Sequence, residues 1–333
     1  MARPRIMDER STYSQMRLDE LSRRLTTFPV EHMPVDLAVF CAGSYARLEA
    51  SDYSDIDLFF AYGPTDVDRP DKRTREIRLF AALIEIAENM GFPPFSNDAD
   101  YLGTIHCSDV LKHLGSPEDD HLNHFTMRML MLLESKCLRG AETFEEVQKS
   151  IIAAYYRDYP DHQSSFEPWF LMNDIGRFWK TLLLNYENKR NQLTDDPIKK
   201  NRQKVRNFKL KYSRMTTCFA TVAALASYQE TIAEEDVFRL VQLTPQERLE
   251  HVAARLPEVI GEVESIQEDY AWFMEQTGKT EEDLRAGFED RGHREERFQR
   301  ANDYGDKMFA LLRAIAERSR RDQSEKLLRY LVI

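Results

Sequence analysis

Cysteine is sparse in this chain and never closely spaced. Cys41, Cys107, Cys137 and Cys218 stand far apart with no C-x-x-C among them, which leaves no paired redox motif. Thiols scattered in apolar surroundings read as reduced, as suits the cytoplasm. Long apolar runs are missing as well. No segment approaches the roughly 18 residues that a membrane span requires, and Met1-Ala2-Arg3-Pro4-Arg5 leads into a polar helix rather than an apolar leader. The expectation is a soluble protein that is not exported. Positive charge is in deficit, with 46 Lys and Arg against 57 Asp and Glu for a net −11. That balance argues against a general affinity for nucleic acid or anionic membrane, so any polyanion has to be met by a local patch. Neither an internal repeat nor a low-complexity segment is found. What remains is an ordinary globular composition, 42% hydrophobic and 31% charged over 333 residues, long enough for two domains with separate cores.

The most informative stretch runs from Gly43 to Asp57. Val35 to Cys41 reads as a short buried strand, and Ile56 to Tyr62 as a second strand beside it. Between them lie Gly43-Ser44 and the acidic pair of Ser54-Asp55-Ile56-Asp57. Residues two apart on a strand point to one face, so Asp55 and Asp57 can share one cation or a close pair of cations. Gly43 and Ser44 leave room for a phosphate to approach the backbone at the start of a short helix. The reading is a site for a nucleoside triphosphate and metal. By itself, an S-D-I-D string at a loop-to-strand junction is more often a capped turn or a solvated strand edge. The joint pattern of strand, G-S turn, acidic pair, second strand and amphipathic helix is much rarer by chance.

These residues resemble the signature of the DNA polymerase β nucleotidyltransferase superfamily, in which a glycine-Gly/Ser turn is followed after about ten residues by Asp-x-Asp, with a third acid on a later strand. The likeness is greatest to the bacterial uridylyl- and adenylyltransferases of nitrogen regulation, whose turn has the form G-G-Y-G-R-G-E before S-D-I-D. Gly43, Tyr45, Arg47, Glu49, Ser54, Asp55, Ile56 and Asp57 fall in register with it, while Ser44, Ala46 and Leu48 stand where that pattern has glycine. The resemblance implies a Mg²⁺- or Mn²⁺-dependent enzyme. It would move a nucleoside monophosphate from a triphosphate such as ATP to an acceptor hydroxyl on protein or RNA, releasing pyrophosphate. The acidic charge balance and the lack of apolar runs leave neither DNA nor membrane as an expected partner. Such transfer commonly uses two divalent ions, and two aspartates are too few to hold both. A third carboxylate is expected from the next strand, with Asp100 the candidate and Asp98 close behind it. Asp55, Asp57 and Asp100 form the expected metal set, Asp100 also helping to deprotonate the acceptor. Gly43, Ser44 and Arg47 are placed among the nucleotide contacts.

The expected fold class is α+β, a small mixed-sheet nucleotidyltransferase domain over residues 1–115 followed by an all-α helical bundle over 116–333. An opening helix is expected near Tyr13 to Phe28. An amphipathic helix is expected over Lys72 to Met90, burying Ile77, Phe80, Ala81, Leu83 and Ile84 and ending at Gly91. A third strand is placed at Asp100 to His106, and no strand after it. Helix starts are marked at Ser116-Pro117, Thr244-Pro245 and Thr280, with long helices near Phe166 to Arg190, Arg202 to Tyr228 and His293 to Tyr330.

Lys199 to Arg214 holds eight Lys or Arg and no acid. On a helix, Lys204, Lys211 and Arg214 share one face, and Arg202, Arg206 and Lys209 another. Lys209 and Arg214 are taken as cations that assist the triphosphate. A solvated basic face, or a groove for an RNA acceptor, are the alternatives. Arg206-Asn207-Phe208-Lys209-Leu210 is similar to an R-D-x-K-L segment that follows the catalytic domain of the adenylyltransferases. His121 and His124 have i, i+3 spacing but lack the further ligands of a zinc pattern. Trp169, Phe170, Phe178 and Trp179 read as core at helical spacing, with Asn173, Asp174, Arg177 and Lys180 interleaved. Larger members of the resembled family carry a His-Asp phosphohydrolase domain, and this sequence has no H-D dipeptide. The rival functions are a non-catalytic nucleotide sensor or scaffold, an RNA-end-modifying toxin and a cyclic-oligonucleotide synthase. The last generally has one more residue between the turn and the acidic pair.

Overall fold

The computed structural model describes residues 3–65, 71–95, 102–162, 166–191 and 196–318. The chain divides into two compact units, Glu9–Asp158 and Tyr159–Ile333 together with Met1–Asp8. The fold is mixed, with a small four-stranded sheet and mostly helical residues otherwise.

In the sheet-bearing unit the order is α1 (Arg5–Thr26, which begins in the other unit), β1 (Leu37–Ala42), α2 (Gly43–Ala46), β2 (Asp57–Tyr62), α3 (Lys72–Asn89), β3 (Thr104–His106), α4 (Cys107–Lys112), α5 (Pro117–His121), α6 (His124–Leu133), β4 (Ser135–Arg139) and α7 (Ala141–Tyr155). The sheet order is β3-β2-β1-β4. β2 and β4 run antiparallel to β1, and β3 runs parallel to β2. β1 is an uninterrupted apolar run because both of its faces are covered. Val39, Cys41, Leu58 and Phe60 lie in a core with Leu21 and Leu25 of α1 and Leu79 and Leu83 of α3. On the opposite face, the Phe40 ring lies 5.7 Å from that of Phe59 and 5.4 Å from that of Phe144 on α7. Phe40 is fully buried, and burial of this kind contributes about 1.5–3 kcal/mol for a large apolar side chain.

Two sequence expectations need correction here. No strand was expected after His106, yet Ser135–Arg139 is the fourth strand of the sheet. The sheet-bearing unit therefore runs to Asp158, past the expected change of character at 115/116. The turn that returns the chain from β4 to α7 needs Gly140: its φ is +78°, and a Cβ there would sit 2.5 Å from the Leu37 carbonyl oxygen. The second correction concerns α3, which buries Glu76, Leu79, Phe80, Leu83 and Ala87 and leaves Ile77 exposed. Its buried face is rotated from the expected one because Glu76 is drawn inward. One carboxylate oxygen of Glu76 accepts from the Tyr62 hydroxyl at 2.9 Å and from Thr104 at 3.1 Å, and the other accepts from Arg73 at 3.0 Å.

The second unit shows helices only among its described residues: α8 (Tyr159–His162), α9 (Trp169–Asn191), α10 (Pro197–Lys209), α11 (Met215–Ala226), α12 (Glu234–Gln242), α13 (Pro245–Arg255), α14 (Ile260–Thr277), α15 (Glu281–Ala286) and α16 (Arg291–Arg318), apart from short single turns. α10 continues into α11 through a π-helical turn, Leu210–Arg214. Tyr212 in that turn stacks on Phe273 and Tyr304 at 4.7 and 4.5 Å. The Thr244 start is a full capping box: Thr244 Oγ1 accepts from the Glu247 amide at 3.3 Å, and the Glu247 carboxylate accepts from the Thr244 amide at 2.7 Å. Thr280 caps α15 with one half of that arrangement, its Oγ1 accepting from the Asp283 amide at 3.1 Å. Arg248 is fully buried and donates to the Leu240 carbonyl at 2.9 Å and to Thr221 at 2.8 Å, satisfying the last turn of α12. No helix among the described residues is long and apolar enough to cross a membrane.

Candidate nucleotide and metal site

Antiparallel register places the end of β1 directly beside the start of β2, with Ala42 opposite Asp57. The chain turns out of β1 at Gly43, whose φ of +75° is disfavoured for residues with a side chain. A Cβ at Gly43 would lie 3.0 Å from Oδ2 of Asp57. The glycine and the carboxylate that sequence spacing grouped together are therefore adjacent in space, and the absent Cβ leaves that side of the carboxylate open. Asp55 lies two residues before the strand. It is exposed, as is Asp57, while Ile56 between them is buried. Both carboxylates thus face away from the core that holds Ile56.

Ser44 is half-buried in the one-turn helix α2, and its carbonyl accepts from the Glu49 amide at 2.8 Å. That bond and the Arg47 amide donating to the Gly43 carbonyl at 3.0 Å close the loop tightly. Leu48 has φ +58°. It is one of the positions where the resembled pattern has glycine, and here a leucine side chain packs on the core instead. The turn is also braced from α1. Ser14 Oγ accepts from the Ala50 amide at 3.0 Å and Arg10 donates to the Ala50 carbonyl at 3.3 Å. Burial, with hydrogen bonds to Tyr45 and Asp52, raises the Tyr13 phenol well above its ordinary range.

Arg47 was grouped with the nucleotide contacts, but the structure places it in the interior. It is buried, donating to Glu49 at 2.8 Å and to Glu134, which precedes β4. These partners tie the turn to the edge of the sheet. Asp100 and Asp98 lie outside the described residues, so the third carboxylate is not among the groups located here. Among the described residues, no cluster of three or more His, Cys, Asp or Glu is arranged to hold a metal ion. Lys209 and Arg214 belong to the second unit, Lys209 exposed at the end of α10 and Arg214 half-buried at the end of the π turn.

Sequence reasoning missed Lys136. It pairs with Cys41 of β1, one position from the Ala42–Asp57 pair and therefore on the opposite face of the sheet from Asp57, with Cys41 and Leu58. The signal that would have found it is β4 itself. Burial pushes the Cys41 thiol up to about 12, against a smaller opposing effect of Lys136, and pushes Cys107 and Cys137 up to about 11. All four cysteines are free. His121 is exposed, whereas His124 packs its ring 5.3 Å from His113. In α9 Phe178 is buried and Trp179 meets Phe219 edge-on at 5.8 Å, as core residues do, but Phe170 is 44% exposed. No protein-family model and no curated protein sequence matches the chain.

Proposed function

We propose that this protein is a divalent-metal-dependent nucleotidyltransferase. It would transfer a nucleoside monophosphate from a triphosphate to a hydroxyl of protein or RNA and release pyrophosphate. The observation that carries the reading is the contact between the Asp57 carboxylate and the Cβ-less side of Gly43. A turn that must be glycine, pressed against an exposed acid at the mouth of a sheet, gives phosphate oxygens and a cation adjoining places. The donor set fits Mg²⁺ or Mn²⁺, since exposed carboxylates are hard oxygen ligands.

Asp55 and Asp57 would hold the metal, and a further carboxylate, Asp100 or Asp98, would complete the set. When bound, the ion neutralises the triphosphate and lowers the cost of forming the attacking alkoxide. Gly43 and Ser44 would seat the phosphates at the turn, where Gly43 sets no side chain beside Asp57. In this reading the sheet-bearing unit is a nucleotidyltransferase domain of the polymerase β type and the helical unit its accessory domain. Soluble, cytoplasmic placement belongs to the same proposal.

The test is pyrophosphate release from each of the common triphosphates with Mg²⁺ and a cell extract as the source of acceptor. Wild type is expected to release pyrophosphate and label one fraction, and Asp57→Asn to do neither, because it removes a ligand charge without changing volume. Full activity in Asp57→Asn would overturn the assignment. Nucleotide binding without pyrophosphate release would replace the enzyme with a sensor.

A further inference from the structure

We propose that the exposed face of α10 is a docking surface for the phosphate backbone of single-stranded RNA, contacted by Lys199, Arg202, Arg206 and Lys209. These four residues, at spacings of three and four, form one row along the helix, and each is exposed. From Lys199 to Lys209 the row runs ten residue steps, about 15 Å of helix. The chain carries net charge −11, yet from Pro197 to Gln229 it contains no Asp or Glu. Like charges at these spacings repel one another along the helix, and a bound polyanion relieves that repulsion.

A second element adds to the same positive region. Burial, followed by the nearby charges of Arg294 on α16 and of Lys200, holds the Lys204 ammonium below its ordinary range. Glu281 touches the row, pairing with Arg202 at 2.7 Å with both side chains largely exposed. Such a surface pair is weak and readily exchanged for a phosphate. Arginine grips phosphate oxygens bidentately, and lysine meets them as a point charge.

The flanks decide between RNA and an acidic protein segment. Gln203 and Asn207 border the row and offer polar amides. The exposed large apolar side chain on α10 is Ile198, at its outer end. A protein partner would need apolar anchors in the middle of the surface, and these positions hold amides and cations. A single file of charges matches one strand rather than the two phosphate lines of a duplex.

The test measures binding of a fluorescein-labelled oligouridine to the full chain by anisotropy, without nucleotide or metal, between about 50 and 200 mM KCl. Four contacts predict a log-log salt slope of about −3, and Lys199→Ala with Arg206→Ala should make it shallower by about 1.4. The same double variant is expected to bind about tenfold or more weakly at low salt, with its helical circular dichroism retained. Asp57→Asn should bind as wild type does, so failure of transfer chemistry and failure of this surface are read separately. An unchanged slope in the double variant, absence of binding by wild type, loss of binding in Asp57→Asn, or tighter binding of an oligoglutamate peptide than of RNA would each overturn the proposal.

Discussion

β2 has a carboxylate at each end, in opposite settings. Beside its last residue, Glu76 is 4% exposed, and its oxygens are met by Tyr62, Thr104 and Arg73. At its first residue, Asp57 is exposed and lies against a glycine that leaves room around it. The turn repeats the contrast within a few residues, since Arg47 is buried between Glu49 and Glu134 while Asp55 is exposed. Burying an ion requires partners on every side. Charges that hold this fold together, such as Arg47 and Glu76, are buried against ionic or hydrogen-bonding partners, and the charges that would serve chemistry are exposed.

The largest effect expected from this contrast is at Arg47. Arg47→Met leaves Glu134 buried beside an uncharged neighbour and should destabilise the protein by about 3–5 kcal/mol, read as a lowered urea midpoint. Asp57→Asn should stay within about 0.5 kcal/mol of wild type in the same assay, as exposed substitutions do. Comparable losses at both positions would erase the distinction between fold-holding and chemical charges.

Gly43→Ala comes next. It forces a side chain into a left-handed backbone at a cost of about 1–2 kcal/mol and crowds Oδ2 of Asp57. Nucleotide affinity should fall together with stability, and a variant that binds nucleotide normally would show that the open side of the carboxylate is not used.

A smaller, pH-dependent effect belongs to His124. Burial, then the neighbouring His113, lowers its pKa below the ordinary 6.5. With the folded value depressed, the unfolded chain binds more protons between the two values, so stability rises with pH there. The contribution of His124 is complete above about pH 6.5 and declines as the pH falls through the folded value. Replacing His124 with Gln should flatten a plot of urea midpoint against pH in that window, and an unaltered plot would remove His124 from the pH response.

Much of this architecture was legible in the sequence. The apolar run of β1, the change of residue type at Gly43-Ser44, and the Thr244 and Thr280 caps all specify local structure through nearby residues. β4 was not legible. Ser135-Lys136-Cys137-Leu138-Arg139 is a short edge strand with charges on it, as edges require, and it follows the apolar helix α6 with no alternation to mark it. The inward turn of Glu76 was equally hidden, because its donors Tyr62 and Thr104 come from other parts of the chain. Arg47 shows the limit most clearly. Its place in the motif pointed to the ligand, but its burial depends on Glu134, 87 residues away. The adjacency of Gly43 and Asp57 was legible because one turn and one strand pairing bring them together.

The most direct test of that grouping is manganese binding followed by electron paramagnetic resonance, in which bound ion is lost from the free-ion signal. Titrating wild-type protein with Mn²⁺ in the presence of a nucleoside triphosphate should deplete the free-ion signal beyond what the triphosphate alone removes, and Asp57→Asn, folded and equally stable, should not. Equal depletion by the two proteins would contradict the account.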